Sequence, residues 1–280
     1  MSARARLAIV GHRAELGTCL PPGPLPDLDV AWVARPPWAD PDYIAGAVRR
    51  TGCDAVLVLE PDAGEGELLA GDGPVAAAWL VADATPEAGE GLDGFARVLA
   101  VSEDAAARAP DPASVRIEPL PVSDACFAPV RAAAVPPRVF FDGPTCSRRD
   151  SILQPVKHRF DVLHLAGGGS PERLQELLGR CDIALTLRDD RGVGLRDGLG
   201  TALASGLLVI AERPPRRPGL GAGVQLLAFS ELWELEGLLE EFRRHPEAMQ
   251  TLRARGRHYA ERLRSSVALP RIAADLLAGA

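Results

Sequence analysis

Short apolar runs alternate with helix-like segments along the whole chain of 280 residues. This alternation is typical of βαβ units that build a mainly parallel sheet. The clearest apolar run is Cys53–Glu60 (CDAVLVLE), which is almost continuous and therefore predicts a strand buried on both faces. The pattern as a whole predicts an α/β fold in which helices cover parallel strands.

In the first half of the chain, the pattern predicts strands separated by helices or loops. The predicted strands are Arg6–Val10, Asp29–Ala34, Cys53–Glu60, Val75–Ala82, Arg97–Val101 and Val115–Leu120. A helix is predicted over Asp40–Thr51, because Asp40 or Asp42 can cap its N-terminus and Gly52 can end it. A shorter helix is predicted from Asp104.

Residues 121–137 contain four prolines with little periodicity, which indicates a linker, and the alternation restarts after them. The predicted strands are then Arg138–Phe141, Phe160–Leu165, Asp182–Leu187, Leu207–Ala211 and Val224–Phe229. The predicted helices are Arg148–His158, Pro171–Arg180, Asp197–Ser205, a long segment from Ser230 to Leu263 broken at His245, and Pro270–Leu277. We therefore predict two Rossmann-like domains, residues 1–125 and 126–280, and the last helix could pack back on the first domain.

Composition and charge narrow the classes of function. With 47% hydrophobic and 25% charged residues, the chain has the composition of a folded soluble protein. A net charge of −7 disfavours nucleic-acid binding, because the phosphate backbone is repelled on average. The apolar run Leu7–Val10 is too short for a signal peptide, and no run has the roughly 18 residues of a membrane span. We expect a cytoplasmic protein, and association with copies of itself stays open.

The five cysteines form no C-x-x-C pair, as expected for reduced thiols rather than for a disulfide framework or a zinc site. They are Cys19, Cys53, Cys126, Cys146 and Cys181.

Ligands of open α/β sheets bind at the carboxyl ends of the strands, so the loops after strands are the first candidates. In the loop Gly143–Arg149, Arg148 and Arg149 lie beside a predicted helix N-terminus, where guanidinium and backbone N–H groups suit a diphosphate. The segment Gly167–Ser170 precedes another helix, and Gly168 would let a ligand approach the backbone. A solvated helix start and an ordinary loop are the simpler alternatives.

A third loop, Arg188–Gly206 (RDDRGVGLRDGLGTALASG), carries the richest pattern. Charged residues follow a buried strand, a glycine-rich turn with Gly194 comes next, and a helix of small residues ends at Gly206. Small residues let a helix approach a ligand closely, or they serve a tight contact between the helix and the sheet. The sequence pattern alone is compatible with a ligand site and with a purely structural contact.

This third loop leads to a family resemblance. The segment TALASGLLVIAE resembles the E-A-L-A-S/C-G-x-x-V-V/I motif of group-1 glycosyltransferases of the GT-B fold. The later segment GLGAGVQLLAFSELWELEGLLEEFRRHPEAM is similar to that family's C-terminal pattern. Arg138–Gly143 with Arg148 and Arg149, and Phe127 in DACFAPV, resemble the spore-maturation-protein (CgeB-like) branch. The resemblance covers residues 121–280 and is thin over the first half.

The resemblance implies two Rossmann-like domains that face each other across a cleft. The second domain would hold a nucleoside diphosphate sugar, and the first would hold a small-molecule or peptide acceptor. Such enzymes act without a cofactor and generally without a metal, so cationic side chains stabilise the leaving diphosphate. Here Arg148 and Arg149 would do this, helped by Lys157 or Arg196. Gly143, Gly168 and Gly194 would complete the donor-binding set.

The chain departs from the family at the donor ribose. The family has two glutamates eight residues apart around the third loop, and here these positions hold Val193 and Thr201. Asp189, Asp190 or Asp197 could substitute, because a carboxylate near the strand end can accept hydrogen bonds from ribose hydroxyls. The missing glutamates also motivate an alternative, a catalytically inactive GT-B-like binding or scaffold protein.

A catalytic base is expected from the first half of the chain. His12 and Asp83 each follow a predicted strand and could take the acceptor proton, or they could be capping or turn residues. Trp38 and Trp79 could stack on a sugar or an aromatic acceptor, or pack in a loop and in the core. Another nucleotide-sugar enzyme of the same fold, such as a hydrolysing epimerase, is a further alternative. Such enzymes usually have further histidines and glutamates in the cleft between the domains, and this chain has few.

Overall fold

The computed structural model describes residues 4–12, 19–71, 73–81, 91–166, 171–188 and 198–279. The chain divides into two compact units, residues 1–121 with 265–280, and residues 122–264. In the described part of each unit, a parallel sheet lies between two hydrophobic clusters, so the predicted α/β class is confirmed. Within those ranges, none of the helices combines the length and apolarity that a membrane crossing requires.

The first unit is built on a sheet with the strand order β2-β1-β3-β4-β5-β6. Its strands are β1 (Ala5–Gly11), β2 (Leu28–Ala34), β3 (Ala55–Leu59), β4 (Val75–Leu80), β5 (Arg97–Ala100) and β6 (Arg116–Ile117). Its helices are α1 (Pro41–Thr51), α2 (Glu65–Leu69), α3 (Glu103–Ala106) and α9 (Ser265–Ala278). Alternate residues of β3 enter opposite clusters, Leu57 one and Val56 the other, which confirms that this strand is buried on both faces.

The ends of helix α1 follow the sequence prediction. The Asp40 side chain accepts a hydrogen bond of 2.7 Å from the backbone N–H of Tyr43, and Gly52 adopts a left-handed conformation with φ of 60°. The last helix differs from the prediction, since it begins at Ser265 and includes Pro270. Its apolar residues, such as Ile272, join the core of the first sheet, so this helix belongs to the first unit.

The second unit has a sheet with the strand order β11-β10-β9-β7-β8. Its strands are β7 (Arg138–Asp142), β8 (Asp161–Leu165), β9 (Ile183–Thr186), β10 (Leu208–Glu212) and β11 (Leu227–Phe229). Its helices are α4 (Ser147–Arg159), α5 (Pro171–Leu178), α6 (Gly198–Ala204), α7 (Leu232–Arg244) and α8 (Gln250–Glu261).

In both sheets the strand order reverses beside the first strand. The reversal lies between the paired strands β1 and β3 in the first unit, and between β7 and β9 in the second. Chain connections leave such a point in opposite directions, which opens a crevice at the carboxyl ends of the two strands. The loops after β1, β3, β7 and β9 are therefore the places where a ligand is expected.

Helices α6 and α8 approach each other closely at Gly256. A methyl group there would lie 2.7 Å from the Gln225 carbonyl oxygen and 2.7 Å from the Leu203 side chain. We expect Gly256→Ala to lower the free energy of unfolding by about 1–3 kcal/mol, because this overlap outweighs the gain in helix propensity.

The matched control for this prediction is Gly237→Ala in α7. A methyl group at Gly237 would meet no atom of the described residues within 4 Å outside its own helix. That variant should therefore gain about 0.5–1 kcal/mol from helix propensity alone. Urea denaturation of both variants measures the contrast, and a stabilised Gly256→Ala would refute the close approach.

Candidate functional site

The candidate site of the second unit lies at the switch point between β7 and β9. Strand β7 ends at Asp142 and continues into Gly143, whose backbone N–H donates to the Leu165 carbonyl over 2.9 Å. Gly143 has φ of 147°, a conformation that side chains disfavour, so glycine is needed for this turn. Strand β9 leads into Leu187 and Arg188 on the other side of the same point.

Arg148 lies in the first turn of α4 and forms an ion pair with Glu212, the last residue of β10. Its side chain is 46% exposed, whereas the Glu212 side chain is 1% exposed. The second carboxylate oxygen of Glu212 accepts a hydrogen bond of 2.9 Å from the backbone N–H of Arg188. A guanidinium has five N–H donors, so Arg148 can contact Glu212 and an anion together.

Glu212 is the residue of this site that sequence reasoning missed. It ends the run TALASGLLVIAE, and an acidic residue directly after a buried strand was the available signal. Its buried carboxylate joins the start of α4 to the loop after β9. Because its side chain is only 1% exposed, Glu212 is not accessible to a ribose and does not replace the missing ribose-binding glutamates.

Arg149 has a different environment from that of its neighbour. It is buried, and its guanidinium donates to the carbonyl oxygens of Pro144, over 3.1 Å, and Leu187, over 3.4 Å. The guanidinium carbon also lies 5.9 Å from the centre of the Phe141 ring. Arg149 thus ties the loop after β7 to the loop after β9, a positioning role, while direct contact with a diphosphate stays a prediction.

The only lysine of the chain also supports the loop after β7. Lys157 Nζ lies 3.2 Å from His164 Nδ1, and His164 Nε2 lies 2.8 Å from the Gly143 carbonyl oxygen. An ammonium donates to Nδ1, which leaves the N–H at Nε2 to donate to the carbonyl. Lys157 and His164 therefore hold the position of Gly143.

Thr201 lies in α6, and its side chain is buried. The neighbouring residues Leu199–Ala204 are buried as well, and the Thr201 carbonyl accepts hydrogen bonds from the backbone and hydroxyl of Ser205. The small residues of α6 are thus buried, as expected if they serve a tight contact between this helix and the sheet.

Asp142 is a further carboxyl group at the switch point. Burial raises the pKa of this carboxyl above its ordinary value, and the nearby His164 acts in the opposite direction. A carboxyl group with a perturbed pKa at a strand end is a candidate for function as well as for structure.

The raised pKa of Asp142 predicts how stability depends on pH. Since the folded state binds the proton more tightly than the unfolded chain, Asp142 favours folding at acidic pH, and this contribution is lost as pH rises through its folded pKa. We expect Asp142→Asn to be more stable than the parent at pH 8, with a gain that shrinks towards pH 4. Urea denaturation across this range measures it.

Asp161→Asn is the control for this pH dependence. Asp161 is exposed on the neighbouring strand β8 and pairs with Arg138 over 2.6 Å. Losing this ion pair should lower the free energy of unfolding by about 0.2–1 kcal/mol at neutral pH, whereas Asp142→Asn should raise it. A gain for Asp142→Asn that is the same at every pH would contradict the titration of Asp142.

In the first unit, His12 directly follows β1 and is half-buried at the switch point of that sheet. It stands where the sequence predicts a base, and its role stays a prediction. Trp79 is buried, and its indole N–H donates to the Glu118 carbonyl over 2.8 Å. Trp79 is therefore a core residue and does not stack on a ligand.

Comparison with known proteins identifies the architecture. No protein-family model matches the sequence, and no curated protein matches it either. Among solved structures, Anabaena HepE in complex with UDP is 11% identical, with a TM-score of 0.60 over 98% of this chain and 100% of that one. A glycosyltransferase from Rickettsia africae is 10% identical, with a TM-score of 0.61 over 99% of each chain. Sucrose-phosphate synthase from Thermosynechococcus elongatus is 12% identical, with a TM-score of 0.59 over 99% of this chain and 100% of that one.

The chain has the GT-B fold. At these low identities the likeness concerns the fold, which the sequence resemblance implied, and two parallel α/β units agree with it. Some predicted residues lie outside the described residues, namely Asp83, Gly168, Asp189, Asp190, Gly194, Arg196 and Asp197. In this GT-B chain, the described part of the predicted donor set consists of Gly143, Arg148, Arg149 and Thr201.

Proposed function

We propose that this protein is a glycosyltransferase that moves a sugar from a nucleoside diphosphate sugar to a small-molecule or peptide acceptor, without a metal or a cofactor. The main support for this proposal is the position of Arg148. It is a half-exposed cation at the N-terminus of α4, and the buried Glu212 orients it at the switch point. HepE, a protein with the same fold, has been solved in complex with UDP and with UDP-glucose, which supports this choice of ligand.

The arrangement suits the chemistry of the leaving group. When the bond between the anomeric carbon and the diphosphate oxygen breaks, negative charge collects on the diphosphate. The Arg148 guanidinium and the positive end of the α4 dipole would stabilise this charge, while Arg149 and Lys157 hold the surrounding loop in place. The acceptor hydroxyl loses its proton to a base, for which His12 and Asp83 are our candidates.

Several finer assignments belong to the same proposal. We assign the chain to the CgeB-like branch and to the cytoplasm on the sequence features given above. UDP and GDP are the nucleotides to test first.

Thermal denaturation in the presence of nucleotides tests the proposal. A ligand that binds only the folded state raises the midpoint of unfolding, so UDP or GDP should stabilise the protein. Adenosine diphosphate and inorganic phosphate serve as comparisons for base recognition and for simple anion binding. No shift with any nucleoside diphosphate at millimolar concentration would contradict both the ligand and the enzyme.

An inactive binding protein of the same fold is the second candidate. It is favoured by Thr201, which is buried at the position where the family has a glutamate, and by Glu212, which is engaged elsewhere. The two candidates differ in turnover. The enzyme releases a nucleoside diphosphate from a UDP- or GDP-sugar in the presence of acceptors, whereas the binding protein is stabilised by the nucleotide and releases none.

A further inference from the structure

An exposed aromatic pair stands at the carboxyl edge of the first sheet. Trp38, in the segment between β2 and α1, is 71% exposed, and its ring centre lies 4.9 Å from that of Tyr43 with an interplanar angle of 66°. The chain has only six tryptophans and tyrosines, and Trp32, Trp38 and Tyr43 are all exposed within twelve residues. Large exposed aromatic surface is unfavourable in water, so the two exposed rings that contact each other, Trp38 and Tyr43, indicate a ligand.

The segment that carries Trp38 is firmly anchored. The buried Arg35 joins it to the sheet, because its backbone N–H donates to the Gly11 carbonyl over 2.9 Å and its guanidinium donates to the Leu59 carbonyl over 3.2 Å. The backbone N–H of Tyr43 donates to the Asp40 carboxylate, which fixes the backbone at the start of α1. A backbone segment held in this way reduces the conformational entropy that is lost when its aromatic side chains bind a ligand.

The segment that carries Trp38 leaves the sheet beside the strand that ends at the predicted base. Strands β1 and β2 are parallel neighbours in which Gly11 stands opposite Ala34. His12 and the segment of Trp38 therefore leave the sheet side by side, at the edge where ligands of α/β sheets bind.

We propose that Trp38 and Tyr43 form the binding surface for a neutral sugar ring of the acceptor. This inference rests on the proposed function and names its acceptor class. An edge-to-face pair leaves an indole face open, and the C–H face of a pyranose can lie flat against it. The exposed carboxylates of Asp40 and Asp42 flank the rings in sequence; they can accept hydrogen bonds from sugar hydroxyls and disfavour an anionic acceptor.

Saturation-transfer NMR on the full chain with saturating UDP tests this inference. The probes are methyl glucoside, methyl galactoside, methyl mannoside and maltose, with glucose 6-phosphate as the anionic comparison and tyrosine amide as the aromatic one. We expect at least one neutral saccharide to bind and the phosphate ester to bind more weakly. Trp38→Ala should weaken that binding by about tenfold or more, and Trp38→Phe should weaken it less.

Trp233→Ala is the matched control, since Trp233 is also 71% exposed and lies in α7 of the other unit. It should leave saccharide binding unchanged, and both alanine variants should keep the thermal shift with UDP. Unchanged saccharide binding in Trp38→Ala, or tyrosine amide as the only probe that binds, would overturn the inference. So would self-association of the parent that Trp38→Ala abolishes without any saccharide binding. If UDP stabilises the parent and no saccharide binds, this inference fails while the proposed function stands.

Discussion

Arg35→Ala is expected to lower the free energy of unfolding by about 3–5 kcal/mol, which urea denaturation at pH 7 measures. The Arg35 guanidinium is buried and donates to the buried Glu65 carboxylate over 2.6 Å. It also donates to the carbonyls of Leu59 and Glu60 at the end of β3. Removing it leaves the buried Glu65 carboxylate without its cation and takes a hydrogen-bond donor from two carbonyls. Buried polar groups that lose a partner cannot easily bond to water instead.

The pKa of Glu65 shows that burying this carboxylate is costly even with Arg35 beside it. Burial raises the pKa of this carboxyl even though Arg35 lowers it, so the loss of hydration outweighs the attraction. We therefore expect Arg35→Met with Glu65→Leu to recover part of the stability that Arg35→Ala loses. A double-mutant cycle measures the coupling of the two side chains.

Arg49→Ala is the control for this prediction. Arg49 is exposed, and its guanidinium donates to the Leu68 carbonyl over 2.8 Å. Its loss should change the stability by less than about 1 kcal/mol. A similar loss in the two alanine variants would show that burial of Arg35 has no special effect.

Arg148→Ala is expected to weaken UDP binding by about 10–100-fold, with a smaller thermal shift at a fixed UDP concentration. A hydrogen bond between a guanidinium and a phosphate contributes about 1.5–3 kcal/mol, which corresponds to this range. Titration calorimetry with UDP measures the change, and nucleotide release from a UDP-sugar should fall at least as much. The single substitution is the cleaner test, because replacing the buried Arg149 as well would disturb both loops.

The control for Arg148 lies at the other end of the same helix. Arg159 is 50% exposed, similar to Arg148, and it also pairs with a carboxylate, that of Glu236 at 2.8 Å. Arg159→Ala should leave UDP binding unchanged. Equal effects in the two variants would show that the positive charge of α4 acts at long range and that Arg148 does not contact the phosphate.

Much of the secondary structure could be predicted from the sequence, because it depends on local chemistry. The buried strand β3 follows from a continuous apolar run, and α1 follows from its cap at Asp40 and its stop at Gly52. The prediction failed where tertiary packing overrides a local signal. Pro270 predicts a helix start, but the chain is already helical from Ser265, and the buried residues before and after Pro270 pack on the first sheet.

The candidate site, too, could be predicted from the sequence only in part. The sequence by itself determined that two arginines follow a strand and open a helix, and a family resemblance indicated a diphosphate there. Only the tertiary structure decided that Arg148 reaches solvent while Arg149 is buried, and that Glu212, far away in sequence, orients Arg148. The physical reason is that strand order and burial determine which charges meet. A carboxylate 64 positions from its partner leaves no trace in local periodicity, yet parallel strands bring both to one edge of the sheet.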